Sequence, residues 1–276
     1  DYLPELKPLM VRRIKRDGWQ VEERPSRPVT LRHLLSHTSG MDWIAGVQAQ
    51  MGKIDVLPFC LSLRVSAMTP LLFEPGERYS YSNQGINIAA TVIERITGIS
   101  YPEFLQKRLF DPLRMTSATF WPEGKQLEKL VVPYRMSPAG ELEPIEIDQL
   151  QYPLDDRTHR FAEAGGGLFC TPADLIKFYR MILNGGTLDG KRYVSRQAID
   201  EMGKRQTPKG VPDDYGLGWW VSDTAMGHGG AYGTDTKIYR KNGYVVQFYV
   251  LGAGLPKQGD AMSAFEAAVK GLYELE

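Results

Sequence analysis

Apolar residues recur every three or four positions in several stretches before residue 185, and the pattern changes to aromatic-rich runs after residue 213. Thr30 followed by Leu31, Leu34 and Leu35 predicts a short helix over 29–38, capped by the threonine hydroxyl and stopped at Gly40. Ile86, Ala89, Ala90, Ile93 and Ile96 line one face of a stronger helix over 84–97 that ends at Gly98. Ser100-Tyr101-Pro102-Glu103 reads as a capping box opening another helix, with Phe104, Leu105 and Leu109 as its apolar positions. Thr171-Pro172-Ala173-Asp174 supplies a cap, a first-turn proline and an acid at the positive helix end, which predicts a helix over 172–184 closed by Asn184-Gly185-Gly186. Strands are expected at 215–221, 234–241 and 244–251, the last two joined at Asn242-Gly243, a strong hairpin signal. Met262, Phe265, Val269 and Leu272 give residues 261–275 an apolar side suited to covering the resulting sheet.

Helices first, then antiparallel strands, then a closing helix predict an α+β fold. With no internal repeat and no Gly/Ser linker, residues 1–276 read as a single domain, helical over about 29–185, with the sheet and C-terminal helix over about 213–276. At 276 residues and 42% hydrophobic, the chain can bury a sizeable core. Thirty-three basic and thirty-three acidic side chains cancel without long runs of either sign, which argues against a nucleic-acid partner. No stretch approaches the roughly 18 consecutive apolar residues of a membrane span. Cys60 and Cys170 are too few for a disulfide framework and are expected to be two buried free thiols. The first residues, Asp1 to Leu6, are neither an initiator methionine nor a signal peptide, so the expectation is a chain lacking its N-terminal part. A periplasmic or secreted location is the expectation for the protein, and oligomeric state is unread.

Two short segments carry candidate chemistry. Tyr81-Ser82-Asn83 follows a Pro75-Gly76 turn at the mouth of the 84–97 helix, so its side chains sit on a loop anchored by a rigid element. A tyrosine there acts as a base only if something lowers its phenol pKa from about 10, and an asparagine two residues on presents both donor and acceptor to an amide. The plain alternative is a tyrosine packing a helix start and an asparagine satisfying a turn. His228-Gly229-Gly230 precedes the hairpin; its glycines let a ligand or another backbone approach, and its histidine supplies a cation or a donor. Its plain alternative is a tight bend before a strand.

Order and flanks tie these segments together. Residues 30–40, Thr-Leu-Arg-His-Leu-Leu-Ser-His-Thr-Ser-Gly, resemble a stretch of class C β-lactamases and their esterase relatives. Phe73-Glu74-Pro75-Gly76 leading to Tyr81-Ser82-Asn83 resembles the second motif of that family. Gly165-Gly166-Gly167-Leu168 with the Thr171-capped helix and Asn184-Gly185-Gly186 resembles its interior segment, and His228-Gly229-Gly230 occupies the place of its Lys-Thr-Gly.

The resemblance implies a β-lactamase/transpeptidase-like fold, an antiparallel sheet flanked by helices with a mostly helical subdomain, and acyl transfer through a serine. Carried over by motif, Tyr81 is the base and His228 stabilises charge near it. Asn83 holds the substrate amide or the motif lysine, and Gly229, Gly230 and Ala231 bind substrate, with the Ala231 N–H as one oxyanion donor. His37 is expected to be structural, fixing the turn at Gly40. Trp43, Tyr79, Tyr232, Trp219 and Trp220 are candidate walls of an apolar cleft. No cofactor and no metal are implied; His33 and His37 have helix i,i+4 spacing, but the Glu of His-Glu-x-x-His is missing.

The nucleophile's own motif, Ser-x-x-Lys, does not occur in these 276 residues. Thr234-Asp235-Thr236-Lys237 has the right types, yet on a strand residues three apart face opposite sides. Histidine in place of the Lys-Thr-Gly lysine favours an esterase or a D-amino-acid amidase or peptidase acting on a small ester or amide. A β-lactamase proper and a non-catalytic binding member of the family are the alternatives.

Overall fold

The computed structural model describes residues 2–15, 17–255 and 258–273. Strands β1 (Val11–Ile14) and β2 (Gln20–Glu23) form a small hairpin ahead of helices α1 (Leu31–Leu35), α2 (Gly46–Met51), α3 (Phe59–Met68), α4 (Asn83–Thr97) and α5 (Tyr101–Leu105). Short helices α6 (Asp111–Leu113) and α7 (Lys125–Glu128) and the hairpin β3 (Tyr134–Met136) and β4 (Leu142–Pro144) follow. Then come α8 (Pro172–Leu183), the hairpin β5 (Thr187–Leu188) and β6 (Lys191–Arg192), and α9 (Arg196–Met202). The last stretch is β7 (Trp220–Val221), β8 (Met226–Gly229), β9 (Thr234–Tyr239), β10 (Tyr244–Tyr249) and α10 (Gln258–Leu272). These four strands form one antiparallel sheet in the order β10-β9-β8-β7, so the expected α+β architecture is what forms.

Two apolar clusters hold this together. One gathers Leu34 of α1, Leu63 of α3 and Ile88, Ala89 and Val92 of α4 with Leu9, Val11 and Leu71. The other gathers Met181 and Ile182 of α8, Ile199 of α9, and Met226 and Ile238 of the sheet with Phe110, Leu113 and Trp219. Met226 and Ile238 are directly paired in the ladder, so the core-facing side of the sheet also carries the next pair, His228 and Thr236. Links between the two regions include the Gly218 N–H to the Leu35 carbonyl at 2.8 Å and Arg32 to Glu201 at 2.9 Å.

Several sequence expectations change. The 29–38 helix is α1 alone: Thr30 caps it and His33 Nδ1 reciprocally accepts the Thr30 N–H at 3.3 Å. It ends before Gly40 because His37 turns left-handed, at φ 55°. α4 buries Ile88 and Val92, while Ile96 is exposed. Half of the Ser100 capping box forms; Ser100 Oγ accepts the Glu103 N–H at 3.4 Å, but the Glu103 carboxylate pairs with Lys107. That helix continues as a π-turn over Gln106–Phe110 into α6.

The expected 215–221 strand is only β7, with Tyr215 bridging back to Trp220 across a turn in which Gly218 has φ 82°. The hairpin after β9 forms, but its loop takes in Arg240 and Lys241 as well as Asn242-Gly243. On β9, Thr234-Asp235-Thr236-Lys237 is extended as expected, with Lys237 bonded to Glu266 of α10. α10 starts earlier than expected and packs through Phe265 on Phe248, ring centroids 5.4 Å apart, while Leu272 is exposed; the expected end at 275 lies outside the described residues. Cys170 is half-buried and Cys60 is exposed on α3, which corrects the expectation of two buried thiols; both are free.

Candidate active site

The segment from Ser36 to Ser39 is almost fully buried. It lies against residues 71–80 through Leu72 N–H to Gly40 O (2.7 Å), Gly76 N–H to Thr38 O (2.7 Å) and Ser80 N–H to His37 O (2.9 Å). Gly40 has φ 80°, and a Cβ there would stand 2.3 Å from the Phe73 carbonyl oxygen, so no other residue fits this approach.

His37 does more than close that turn. Its Nδ1 accepts the Ser82 backbone N–H at 3.1 Å, which puts the proton of the neutral ring on Nε2, 3.1 Å from the Tyr215 hydroxyl. Burial, and then the neighbouring His228, push its pKa down to about 4. Sequence reasoning assigned His37 to the Gly40 turn; the ring instead orients the Tyr81–Asn83 segment, with its centroid 4.2 Å from that of Tyr81. Ser82 is held from its side chain as well: Oγ accepts the Gly85 N–H at 2.9 Å as the cap of α4 and donates to the Asp42 carbonyl at 2.6 Å.

Tyr81 and His228, 147 positions apart in the chain, have ring centroids 6.0 Å apart, and Tyr215 packs edge-on to His228 at 5.9 Å. Burial and then the charge of Glu163 both raise the Tyr81 phenol pKa. His228 is lowered by burial, against the opposing pull of the Gly229 carbonyl and Asp235. Its Nδ1–H donates to the Gly229 carbonyl at 2.6 Å, so the neutral ring offers Nε2 as an acceptor, where the sequence pattern suggested a cation or donor.

Asn83 opens α4, 7% exposed, and its Oδ1 is buried without a hydrogen-bond partner among the described residues. Gly165 lies directly against it. Gly229 ends β8 opposite Asp235; the Gly230 N–H donates to Thr234 O at 2.7 Å, and Ala231 follows in the exposed turn that Gly233 N–H closes onto Gly230 O.

Of the candidate aromatics, Trp43 and Trp220 are exposed, Tyr79 packs 5.4 Å from Trp220, and Tyr232 donates to Asp148. Trp219 is core, stacked on Phe178, and lines neither of the two hollows that follow. A hollow of about 740 Å³ takes in Trp220, His228, Gly229, Gly230 and Ala231 and extends beneath α10 to Met262. A second hollow of about 490 Å³, between α3, α5 and Phe120-Trp121, contains none of the motif residues.

His33 and His37 are committed to Thr30 and to Ser82 and Tyr215 respectively, so they share no ligand. Among the described residues no helix is long and apolar enough to cross a membrane. Sequence reasoning missed Tyr215, which bonds His37 and packs on His228, and Glu163, which lies behind Tyr81. Neither carries a motif signal beyond Glu163 standing just before the triple glycine.

Comparison with known proteins bears on the fold and the family. A family model described as Beta-lactamase matches residues 1–269. The chain is 34% identical over 194 residues to lovastatin esterase of Penicillium rubens, covering 67% of this chain and 46% of that one. It is 34% identical over 230 residues to penicillin-binding protein 4 of Amycolatopsis lactamdurans, covering 78% and 56%. Among solved structures, unliganded simvastatin synthase (LovD) from Aspergillus terreus superposes with a TM-score of 0.78 at 20% identity, over 100% of this chain and 76% of that one. The chain spans about half the length of the relatives it matches in sequence.

Proposed function

Because the chain belongs to the β-lactamase family, we propose that the intact protein is a serine hydrolase working through an acyl-enzyme on ester or amide carbonyls, with β-lactams as poorer substrates. The observation that carries this reading is the approach of the Tyr81 and His228 rings, 6.0 Å apart, with Asn83 Oδ1, two residues on from Tyr81, buried without a hydrogen-bond partner among the described residues. The nucleophilic serine and its lysine partner belong to sequence outside these 276 residues. The serine oxygen adds to the carbonyl carbon, its proton passing to the Tyr81 oxygen and lysine pair. Collapse expels the leaving alcohol or amine, which takes that proton. Water then repeats the sequence on the acyl-enzyme. Asn83 Oδ1 accepts from the lysine ammonium or the substrate amide, the Ala231 N–H faces the developing oxyanion, and the neutral His228 Nε2 accepts from Tyr81 or the leaving group.

The esterase preference rests on His228. A neutral imidazole in place of a permanent ammonium offers little to the carboxylate that a β-lactam carries beside its scissile bond. A lovastatin esterase among the relatives supports the same direction. The 276-residue chain alone is inert in this reading, because it holds no Ser-x-x-Lys; without that lysine, burial and then Glu163 leave the Tyr81 phenol raised. That same observation favours the second reading, a non-catalytic member that binds ligand in this cleft.

The test is intact-mass analysis after treatment with a fluorophosphonate, alongside the coding sequence upstream of Asp1. One adduct on the serine of a Ser-x-x-Lys in the intact protein is expected, with none on the 276-residue chain. An intact protein with neither the motif nor an adduct sinks the hydrolase and leaves the binding role. Turnover of nitrocefin ahead of p-nitrophenyl esters and D-alanyl amides sinks the esterase preference.

A further inference from the structure

Behind Tyr81 lies a carboxyl that the acyl-transfer chemistry leaves unused. Glu163 is 2% exposed, and Arg160, three residues earlier, stands 3.6 Å from Asp55 and donates to the Phe120 and Leu154 carbonyls. Both Glu163 oxygens accept from Asn87 Nδ2, each at 2.7 Å, and Asn87 Oδ1 accepts the Ala164 N–H at 3.0 Å. The Gly165 N–H also points to this carboxyl, and the Glu163 carbonyl accepts the Gly167 N–H at 2.8 Å. The turn over 163–167 is therefore closed on itself and stapled to α4.

The staple lands one helical turn from Asn83, since residues 83 and 87 share a face of α4. At Gly165 the turn presses so closely on Asn83 that an added Cβ would lie 2.7 Å from its Oδ1 and 2.8 Å from its Cγ. One buried carboxyl thus sets how near the glycine backbone comes to Asn83, whose Oδ1 is buried without a hydrogen-bond partner among the described residues.

We propose that Glu163 is a positioning residue of the acyl-transfer site: clamped by Asn87, it seats the 163–167 turn against Asn83 and fixes the direction of the Asn83 amide. The assignment of a reaction to Asn83 rests on the function proposed above; the clamp itself does not. Burial holds the Glu163 carboxyl up at about 8, opposed by Asn87 and Gly165 and reinforced by the charge of Asp55. The groups facing it are Asp55 before α3, Tyr81 before α4 and Tyr101 at the start of α5, the two tyrosines being raised by burial and then by Glu163 itself. Raising the pH through 8 therefore places a negative charge behind Tyr81 and Asn83 while strengthening the clamp's acceptors.

Two measurements on the intact protein test this. Crystal structures of wild type and Glu163→Gln, which need no turnover, are expected to show the 163–167 turn withdrawn from α4 and the Asn83 amide rotated in the variant. In p-nitrophenyl ester hydrolysis, kcat is expected to fall on the order of ten- to a hundredfold with KM within about threefold. An inflection of kcat near pH 8 should disappear in Glu163→Gln and persist in Glu163→Asp. Should Glu163→Gln fail to fold, Asn87→Ser decides, with the same rotation of Asn83 and the same loss of kcat expected. An unchanged Asn83 orientation in the variant, or wild-type kcat with the pH 8 inflection intact, overturns the proposal. If the intact protein hydrolyses nothing, the function proposed above fails while the crystal structures still judge the clamp.

Discussion

The His37 imidazole is the hydrogen-bond acceptor for the Ser82 backbone N–H, at 3.1 Å, across 45 residues of sequence. The first motif is therefore the brace of the second: a neutral, buried ring reads the position of the loop that carries Tyr81 and Asn83. Its acceptor function needs the unprotonated form, because a protonated ring has no lone pair to offer that N–H.

Acid should expose this dependence. Folded His37 takes up its proton only near pH 4, whereas in the unfolded chain it does so near 6.5. Between those values the unfolded state binds more protons, so stability rises with pH across the window and is flat in this contribution above 6.5. The wild type should lose on the order of 3 kcal/mol between pH 6.5 and 4 from this group. His37→Gln, destabilised throughout, should lack that slope. Urea unfolding of both at pH 4.5, 5.5 and 7 measures it, and parallel pH dependences would disprove it.

Ser82→Ala removes the acceptor for the Gly85 N–H and the donor to the Asp42 carbonyl together. A loss of about 1–2 kcal/mol is expected in urea or thermal unfolding. Ser82→Asp keeps the acceptor and adds a charge at the positive end of α4, but cannot donate to Asp42, and should fall between the two. A Ser82→Ala midpoint equal to wild type would count against the cap.

Adjacent glycines should respond unequally to a methyl group. At Gly165 a Cβ meets three Asn83 atoms at 2.7–3.0 Å, whereas at Gly166 the nearest contact is Ile54 Cδ1 at 3.9 Å. Gly165→Ala should cost about 1–3 kcal/mol through overpacking, and Gly166→Ala should stay within about 0.5 kcal/mol. Comparing their urea midpoints checks this, and equal shifts would contradict the close approach.

The Asp55–Arg160 pair is buried on both sides, at 3.6 Å, with Asp55 also accepting the Gln151 N–H at 2.9 Å. Arg160→Met strands the carboxylate and should cost about 3–5 kcal/mol, with a large share recovered in the Arg160→Met/Asp55→Asn double variant. A double-mutant cycle by urea unfolding reads the coupling; additive losses would mean the two do not depend on each other.

The sequence was most legible where the cause is local. Thr30, Ser100 and Thr171 cap helices because a hydroxyl and an N–H three residues on suffice. The terminator Gly98 and the pairing of β9 with β10 follow from short-range turn chemistry, whereas β8 is not among the expected strands. What stayed hidden is made by distant partners. A left-handed His37 is tolerated because Ser80, Ser82 and Tyr215 engage it. Trp219 is drawn into the core by Phe178, and the 215–221 segment bends at Gly218 instead of running straight. Glu163 had no readable signal, since its meaning lies in Asn87, 76 positions away. Motif order located Tyr81 and His228, but their protonation came only from burial, which no spacing reveals.

Tyr81 stands just before α4, whose Ile88 and Val92 are buried in one apolar cluster, and His228 lies on β8, whose Met226 is buried in the other. The two rings are thus jaws mounted on separate anvils, and a slip of one cluster past the other opens the gap between them without melting either. Gly218 to Leu35 and Arg32 to Glu201, at the seam, therefore govern how sharply the jaws are aligned. A protein warmed toward its transition should lose alignment first and secondary structure afterwards.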